Sequence, residues 1–582
     1  MSGFGVETAS TVMEPPHDCD YSMGEENARM IKTEPPAPAP LLPLDRRALL
    51  KGGLVGAGLA ATPLSATIGE TGFTSGVASG EPGPQSVLLW TRYVAASDVN
   101  LRWEVAETLD FVRVEAGGSA SASPDNDFCT KVTATGLEPG RWYYYRFIAP
   151  DGSRSDIGRT RTLPVGKTSR FRMAAFSCSN IGFGWFNAYA HCAAADEVDC
   201  VLHLGDYLYE YPVGTYPSPA QILPGRLVEP VTEIVSLADY RQRHAQYCRD
   251  ADLRRLRQLF PMIAGWDDHE STNDSWAGGA QNHQSETEGP WPVRKAAAMR
   301  AYREWLPVSD QDWAAYEIGD LATLFRLETR LSARAEQFNI GRLLANKTTP
   351  DEVAVALAAF RDGSWRDPAR GMIGADQQVW LGAGLRQSRR AGKVWQVLVQ
   401  QVLMGSVRTP LEVTDWVSGD VPDFVRSRIA AGVAASRSGL PMNMDAWDGY
   451  PAARSRVFAA AQTADANLIS LAGDTHNAWA FDLSEGGRPV GVEFGVQSVT
   501  SPGYESAFPQ IDPLRTAAAL RETNPGLRFT DTSRRGYMMV ELTPQAARCE
   551  YRFLSGIRQK GTQIAETRAL SVLPGSRTLS MA

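Results

Sequence analysis

Histidine is scarce in this sequence, with only seven among 582 residues. Zinc sites in proteins depend mainly on His and Cys ligands. A metal site in this chain is therefore expected to rest on carboxylates, which suit harder cations. The seven cysteines show no close Cys-x-x-Cys spacing, which argues against a zinc ribbon. Cys192 and Cys200 are candidates for a disulfide if the chain is exported, but the sequence leaves their pairing open.

Long apolar runs and internal repeats are also missing. No stretch approaches the ~18 apolar residues that a membrane span requires, so we expect no span in the mature chain. The net charge of −8 argues against nucleic acid or an anionic membrane as the main partner. With 43% apolar and 21% charged residues, the composition is that of a globular protein with room for one large and one smaller domain. We expect a monomer.

The N-terminal region carries a targeting pattern. Arg46 and Arg47 precede a mildly apolar run rich in Gly and Ala at residues 52–61, and a small-residue ending follows at 64–66. This order is typical of a twin-arginine export signal, although a chance Arg pair before a short helix is the alternative interpretation. We predict a leader over residues 1–66, recognition by the twin-arginine translocase, and a periplasmic or secreted protein.

Residues 1–43 would make this leader unusually long. They are rich in proline and acidic residues, unlike the positively charged start of an export signal. We therefore expect the true start of the chain at Met23 or Met30.

Short alternating strands are predicted in the first part of the mature chain. They are expected at residues 86–92, 100–105, 129–135 and 141–147. Strands this short, with turns roughly every 8–12 residues, are typical of immunoglobulin-like or fibronectin type III sandwiches. We therefore predict a smaller all-β domain over residues 70–166. The aromatic run at 142–145 is interpreted as a core strand, with a carbohydrate platform as the alternative.

After residue 167 the pattern changes to strands that alternate with helices, which indicates α/β layering. Helices are expected within 239–257, 294–305 and 353–360, strands at 321–327 and 394–399, and a hairpin from 537–542 and 548–554. We predict a second domain over residues 170–560 and a C-terminal tail over 561–582.

Four apolar runs in this second domain end abruptly in potential metal ligands. Residues 171–176 end in Ser177-Cys178, 201–204 in Gly205-Asp206, 261–265 in Asp267-Asp268-His269-Glu270 after Trp266, and 468–472 in Gly473-Asp474-Thr475-His476. Gly-Asp after a strand is common turn chemistry, so one such end would mean little. Ligands bind beyond the carboxyl ends of strands in open α/β sheets. Four ends together therefore predict one shared site.

These motifs resemble the PhoD-type alkaline phosphatases over nearly the whole mature chain. The segments that carry the resemblance are 73–82, 89–92, Ser177-Cys178, 203–211, 266–270, 447–451 and 473–476. The resemblance implies twin-arginine export and an all-β module before a metallophosphatase domain, a four-layer α/β sandwich related to purple acid phosphatases. It also implies ferric iron with calcium, and hydrolysis of phosphomonoesters and some phosphodiesters.

The first metal is expected to be iron. Asp206 lies alone on a Gly turn and is the candidate bridge between two metals, with Tyr209 three residues further on. Because thiolate and phenolate are strong donors to a ferric ion, Cys178 and Tyr209 would hold it, and His476 would complete its ligands. The alternative for Cys178 is an inert buried thiol.

The second metal is expected to be calcium. Where related metallophosphatases carry Asn and His ligands, this chain has Asp268 and Asp474, and Gln400 or Gln401 stands at a third such position. Oxygen ligands shift the preference from zinc or manganese toward calcium. Asn273 is a further candidate ligand, and a turn-capping role for Asp474 is the alternative.

Catalysis is expected to be metal-assisted attack of a bridging hydroxide or oxide on phosphorus in small phosphoesters. His269 would protonate the leaving oxygen, with a structural hydrogen bond as the alternative role. Arg330 and Arg334 would clamp the phosphate oxygens unless they are solvated charges. The family's Asp-Thr-Arg is here Glu328-Thr329-Arg330, which leaves substrate preference open.

Two other functions fit the sequence. A phosphodiesterase or phospholipase D-like hydrolase would use the same metals in a pocket of different width. A non-catalytic binding protein of the cell envelope would use the all-β domain, but the potential ligands at all four strand ends argue against it.

The leader generates the first testable prediction. The double substitution Arg46→Lys/Arg47→Lys should retain the protein in the cytoplasm, because the paired arginines are what the translocase would recognise. Cell fractionation and immunoblotting of wild type and variant measure this. Unchanged export of the variant would mean that another route carries the protein.

Overall fold

The computed structural model describes residues 71–416 and 423–581. The strands are β1 (Gly72–Gly80), β2 (Ser86–Val94), β3 (Val99–Ala106), β4 (Val114–Ala122), β5 (Cys129–Thr135), β6 (Trp142–Ile148), β7 (Gly158–Arg161), β8 (Phe171–Phe176), β9 (Cys200–His203), β10 (Pro261–Ala264), β11 (Ser275–Trp276), β12 (Gly279–Ala280), β13 (Ala314–Ile318), β14 (Ala322–Arg326), β15 (Trp395–Val399), β16 (Leu468–Ala472), β17 (Ala478–Glu485), β18 (Arg488–Gly495), β19 (Leu527–Asp531), β20 (Gly536–Leu542), β21 (Ala547–Leu554), β22 (Ile564–Val572) and β23 (Ser580–Met581). The helices are α1 (Asn187–Ala195), α2 (Leu237–Arg249), α3 (Ala251–Leu259), α4 (Ser285–Glu288), α5 (Trp291–Trp305), α6 (Ile340–Leu344), α7 (Pro350–Asp362), α8 (Ala375–Arg390), α9 (Val413–Trp416), α10 (Asp423–Arg437), α11 (Pro451–Thr463), α12 (Tyr504–Ala507) and α13 (Pro513–Thr523).

Two large sheets pack face to face. One has ten strands in the order β23-β22-β21-β20-β8-β9-β10-β1-β2-β5, and the other has seven in the order β13-β14-β15-β16-β18-β17-β19. Met173 and Leu202 of the first sheet share a buried core with Leu324 and Val397 of the second. This core between the sheets fixes the distance between the strand ends of the two sheets.

Helices cover the outer faces of both sheets. Val201 of the first sheet packs in one core with Tyr240 of α2, and Leu398 of the second packs with Leu381 of α8. Because side chains alternate along a strand, neighbours such as Val201 and Leu202 enter different cores. The order helix, sheet, sheet, helix confirms the predicted four-layer α/β sandwich.

An all-β region precedes these layers, as predicted. The four-stranded sheet β4-β3-β6-β7 packs on β1, β2 and β5 around its own core, which includes Leu89, Val105 and Tyr145. However, β1 also pairs in parallel with β10, with Ser79 opposite Pro261. One sheet of the β-sandwich is therefore continuous with the sheet that carries three of the four predicted site strands.

The C-terminal segment differs from the prediction. Residues 561–582, which we predicted to be a tail, contribute β22 and β23 to the edge of the ten-stranded sheet. Alternation along β22 turns Leu570 and Val572 into the core between the sheets. Their burial explains why this segment is ordered as part of the sheet.

The helical pattern over 239–257 is likewise divided in the structure. Asp250 ends α2 and caps α3, since its side chain accepts the N–H groups of Asp252 and Leu253 at 3.0 and 3.1 Å. Such a cap satisfies donors that the first helical turn leaves unpaired. The chain therefore forms two short helices where periodicity alone indicated one.

The cysteine pair considered from the sequence does not form. Cys192 and Cys200 are both free thiols. Cys192 lies in the helix-side core and Cys200 in the core between the sheets, so the ten-stranded sheet separates them.

The predicted leader with Arg46 and Arg47 lies outside the described residues. Among those residues no helix is long and apolar enough to cross a membrane.

Candidate metal centre

The four predicted strands bring their carboxyl ends together. β8, β9 and β10 are parallel neighbours in the ten-stranded sheet, and β16 faces them from the seven-stranded sheet. Residues after three of these strands adopt left-handed backbone, with φ of 60° at Cys178 after β8, 53° at Asp206 after β9, and 66° and 63° at Asp474 and His476 after β16. Non-glycine residues rarely adopt this conformation, and it concentrates at functional sites. Four such residues at converging strand ends indicate a site with demanding geometry.

A first group of potential ligands consists of Cys178, Asp206 and His476. One ligand atom of each lies within 4.8 Å of the others, and all three residues are buried. The hydroxyl of Tyr209 donates to Asp206 Oδ2 at 3.0 Å and lies 3.2 Å from His476 Nε2. The sulfur, phenolic oxygen, carboxylate and imidazole that the sequence analysis grouped thus lie close together in the structure.

The protonation of His476 follows from its partners. Its Nδ1 lies 2.7 Å from the carbonyl oxygen of Pro502, which can only accept a hydrogen bond. Nδ1 therefore carries the proton, and the lone pair is on Nε2, which faces Tyr209. Burial lowers the pKa of His476 to about 3, so the ring is neutral. A neutral imidazole held by a second hydrogen bond is the usual form of a metal ligand.

Two further groups adjoin the first. Asp206, Asp268 and His269 form one, and Asp267, Asp268 and Asp474 form the other, with the ligand atoms of each group within 4.8 Å of one another. Asp206 belongs to the first and second groups, and Asp268 to the second and third. The three groups are therefore one continuous cluster, with Asp206 where its sulfur-containing and carboxylate halves meet.

Three carboxylate oxygens of this cluster lack a hydrogen-bond donor among the described residues, which is what a metal site requires. Asp206 Oδ1, Asp267 Oδ2 and Asp268 Oδ1 are buried and accept no hydrogen bond from the described residues. Buried polar atoms are almost always hydrogen-bonded, so such atoms require a partner of another kind. Carboxylate oxygens directed at one point are the ligands that hard cations take.

Electrostatics lead to the same interpretation. Burial raises the pKa of Asp206 and of Asp474 well above the usual range, and neighbouring carboxylates, Asp268 and Asp267 respectively, add to this. Burial also raises the pKa of Asp267 to about 6. For Asp268, burial is outweighed by the positive charges of Arg330 and His269, which lower its pKa to about 2. Bound cations would favour the ionised form of all four carboxylates.

Arg330 lies inside the carboxylate half of the cluster. It is fully buried, contacts Asp267 through Nε, and lies 2.7 Å from Asp445 through Nη1. Its Nη2 is 3.7 Å from one oxygen each of Asp268 and Asp474 and donates to none of the described residues. Nη2 of Arg330 therefore has N–H groups that could donate hydrogen bonds to a phosphate oxygen.

Arg334 is placed differently. It is also fully buried, but it contacts Asp445 through Nη2 and donates to the Tyr450 hydroxyl at 3.2 Å. Neither arginine is the solvated charge that the sequence left open. Arg334 contacts Asp445, and Asp445 contacts Arg330. Arg334 is therefore placed to keep Arg330 in position through Asp445.

His269 and Asn273 lie on the loop after β10. The Nδ1 of His269 is 2.7 Å from Oε2 of Glu210. Burial would raise the pKa of Glu210, but the charge and hydrogen bond of His269, together with the N–H of Asn273, hold that pKa below its usual range. The side-chain amide of Asn273 donates to Gln281 Oε1 at 2.9 Å.

Gln400 and Gln401 do not join the cluster. The amide oxygen of Gln400 accepts from Trp447 Nε1 at 3.0 Å, and that of Gln401 accepts from the Thr329 hydroxyl at 2.6 Å. Their oxygens therefore serve the packing of β15 and its neighbours. The prediction that a glutamine completes the calcium site is not supported by this arrangement.

Glu328 also has a structural role. It accepts the N–H groups of Arg330 at 2.8 Å and Leu331 at 2.6 Å, and the indole N–H of Trp266 at 3.0 Å. The carboxylate shapes the turn that presents Arg330 and does not enter the cluster. Glu328, which stands where the family has an aspartate, therefore acts on the turn that supports the site.

The structure gives a place in the site to three residues to which the sequence analysis assigned no individual role. Asp267 stands in the same acidic run as Asp268, and this run was the signal for it. Glu210 directly follows Tyr209, which is a weaker signal. Asp445 lies outside the four strand-end runs, and only the tertiary structure brings it to Arg330.

The chain is similar in sequence and in fold to known phosphatases. Residues 173–551 match the family model described as PhoD-like phosphatase, and residues 58–164 match that of the PhoD-like phosphatase N-terminal domain. Alkaline phosphatase D of Bacillus subtilis (strain 168) is 32% identical over 533 residues, which cover 87% of this chain and 81% of that protein. A solved structure of PhoD superposes with a TM-score of 0.71 at 29% identity, covering 89% of this chain and 93% of that one. The chain belongs to the PhoD-like phosphatase family.

Proposed function

We propose that this protein is an exported alkaline phosphatase that uses ferric iron and calcium to release phosphate from phosphomonoesters and from some phosphodiesters. The proposal rests on the position of Asp206. This carboxylate belongs to one group with the thiol of Cys178 and the imidazole of His476, and to a second group with Asp268 and His269. Two adjacent metals of different chemistry need such a bridging carboxylate. Membership of a phosphatase family argues against the alternative of a non-catalytic binding protein.

Cys178, Tyr209 and His476, with Asp206, would hold the ferric ion, since thiolate and phenolate are strong donors to it. Asp268 and Asp474 would hold calcium through oxygen, with Asn273 as a further candidate. Asp267 lies within 4.8 Å of the ligand oxygens of Asp268 and Asp474 and extends this oxygen set. When bound, the ions supply Lewis acidity and an activated water at neutral pH.

The chain's own residues would bind the phosphate and move the proton. Arg330 offers Nη2 to a phosphate oxygen while Asp267 and Asp445 hold the rest of its guanidinium. Arg334 supports this arrangement through Asp445. His269 is the general acid, because one of its ring nitrogens lies within 4.8 Å of ligand oxygens of Asp206 and Asp268, where a substrate phosphate would bind.

A direct assay tests the proposal and its diester alternative together. Purified protein should release nitrophenol from p-nitrophenyl phosphate faster than from bis-p-nitrophenyl phosphate. A preference for the diester would favour a phosphodiesterase with the same site. No hydrolysis of either ester by protein with bound metal would contradict the proposed function.

Replacement of Cys178 tests the iron assignment. Cys178→Ala should lose iron and the visible charge-transfer absorption, because a thiolate ligand is removed from the ferric ion. Elemental analysis and visible spectroscopy measure both effects. Cys192→Ala, which removes another buried thiol in the helix-side core, is the matched control and should retain iron. An active wild type without iron would refute the assignment.

Chelation tests the calcium assignment. EGTA should abolish activity, and calcium should restore it better than zinc, because Asp267, Asp268 and Asp474 offer only oxygen. The measurement is the initial rate with p-nitrophenyl phosphate after dialysis and addition of each ion. Restoration by zinc alone would require a different metal at this position.

Replacement of His269 tests the general acid. His269→Ala should slow esters with poor leaving groups by ~10²–10⁴-fold, and p-nitrophenyl phosphate much less, since a good leaving group needs little proton assistance. Metal content should remain near that of wild type. Equal losses on both esters together with lost metal would instead make His269 a ligand.

A further inference from the structure

Glu210 is a buried carboxylate that the proposed chemistry leaves without a role. It lies in the loop after β9, is fully buried, and places Oε2 at 2.7 Å from Nδ1 of His269. The ring of His269 also packs against Tyr209, with 4.2 Å between ring centroids, and against Tyr211, with 5.5 Å. The imidazole is therefore held on its faces by aromatic rings and at Nδ1 by one carboxylate oxygen.

The second oxygen of Glu210 is fixed by two N–H donors. Oε1 accepts the N–H of Asn273 at 2.7 Å and the Asn282 amide at 3.1 Å. The Thr272 hydroxyl lies 3.0 Å from Oε1 and 2.8 Å from the carbonyl oxygen of Asn282, and its single proton serves one of the two at a time. The atom at this position must therefore be an acceptor. The amide of Asn282 also donates to Glu233 at 3.0 Å, so the loop that holds Glu210 is anchored further from the site.

This arrangement determines which nitrogen of His269 acts on substrate. Because Oε2 of the ionised carboxylate only accepts, Nδ1 of His269 must donate its proton to it. The reactive proton is then on Nε2. A buried carboxylate that orients a histidine through Nδ1 is also how serine hydrolases fix the tautomer of their general base.

We propose that Glu210 is the positioning residue of the general acid: it orients His269 and keeps the Nδ1 proton in place so that Nε2 delivers the other proton to the leaving oxygen. As a hydroxide oxygen bonds to phosphorus, the P–O bond to the leaving group breaks and its electron pair passes to the leaving oxygen. That oxygen takes the Nε2 proton, and Nδ1–H stays bonded to nitrogen in the now neutral ring. The inference rests on the proposed function, because it requires a general acid.

The substitution Glu210→Gln tests this in a specific way. The two N–H donors around Oε1, from Asn273 and Asn282, require the amide oxygen of the new side chain at that position, so its NH₂ group would face Nδ1 of His269. Nδ1 would then have to accept a hydrogen bond, which prevents the ring from holding protons on both nitrogens. The size of the side chain is unchanged, so the surrounding packing is preserved.

The decisive measurement is the dependence of rate on the leaving group. Glu210→Gln should slow hydrolysis of an alkyl ester such as glycerol phosphate by ~10²-fold or more, within the usual range for general acid catalysis, and that of p-nitrophenyl phosphate far less. Metal content should remain that of wild type. The double variant Glu210→Gln/His269→Ala should be no slower than His269→Ala, because the two residues act as one unit.

Glu233→Gln is the matched control. It makes the same chemical change in the same hydrogen-bonded network, but Glu233 contacts Asn282 and Arg294 instead of His269. The ratio of rates on the two esters should remain that of wild type. A change in this ratio as large as that of Glu210→Gln would overturn the inference, because the network as a whole would then be responsible.

Other outcomes separate this inference from the proposed function. If His269→Ala discriminates between the esters but Glu210→Gln does not, the inference alone fails. Equal losses of Glu210→Gln on both esters with loss of metal would also overturn it and make Glu210 a support of the metal cluster. If His269→Ala itself does not discriminate, the general acid assignment fails, and this inference fails with it.

Discussion

The burial of the Asp206 carboxylate is the constraint on which the rest of the site depends. Gly205 before it has a φ of 104°, and a side chain there would collide with Asp267. Glu270 accepts the N–H of Asp206 at 3.1 Å and that of Asp267 at 2.8 Å, so it ties the ends of β9 and β10 together. The strand ends thus bring several carboxylates closer than their mutual repulsion favours. Carboxylates held this close together stay ionised when cations lie beside them, and otherwise their raised pKa values favour protonation.

Arg330 supplies one of these cations from the chain itself. Its contacts with Asp267 and Asp445 join β10, β14 and the segment before α11. Removing one partner of a buried ion pair typically costs about 3–5 kcal/mol, because the other charge is left buried and unpaired. Loss of any of these charges would therefore destabilise the site, while Nη2 of Arg330 remains the donor that the proposed function assigns to the phosphate.

The β-sandwich contributes to the site through the sheet. Since β1 pairs with β10, the first β-rich region extends the sheet that carries Cys178, Asp206 and Asp268 at its strand ends. Its other sheet packs on β1, β2 and β5 with a core of its own. The sandwich thus completes the edge of the catalytic sheet, which would otherwise expose unpaired strand groups beside β10. The two predicted domains consequently share one sheet.

The sequence by itself predicted many of the strands and most of the potential ligands at their ends, because apolar runs that end in ligands are local patterns. The four layers followed from the family resemblance that those motifs carry. The sequence did not determine the break at Asp250 or the strand β22, since a helix cap and a sheet edge depend on partners elsewhere in the chain. Nor did local patterns place Asp445 beside Arg330 or give Gln400 and Gln401 their hydrogen bonds. Asp206 was predicted from the sequence as a shared carboxylate, and the structure places it in two groups of potential ligands. Only the tertiary structure decided that Glu210 holds His269. The reason is physical: residue type fixes which atoms can donate or accept, while the packing of the two sheets fixes which of those atoms meet.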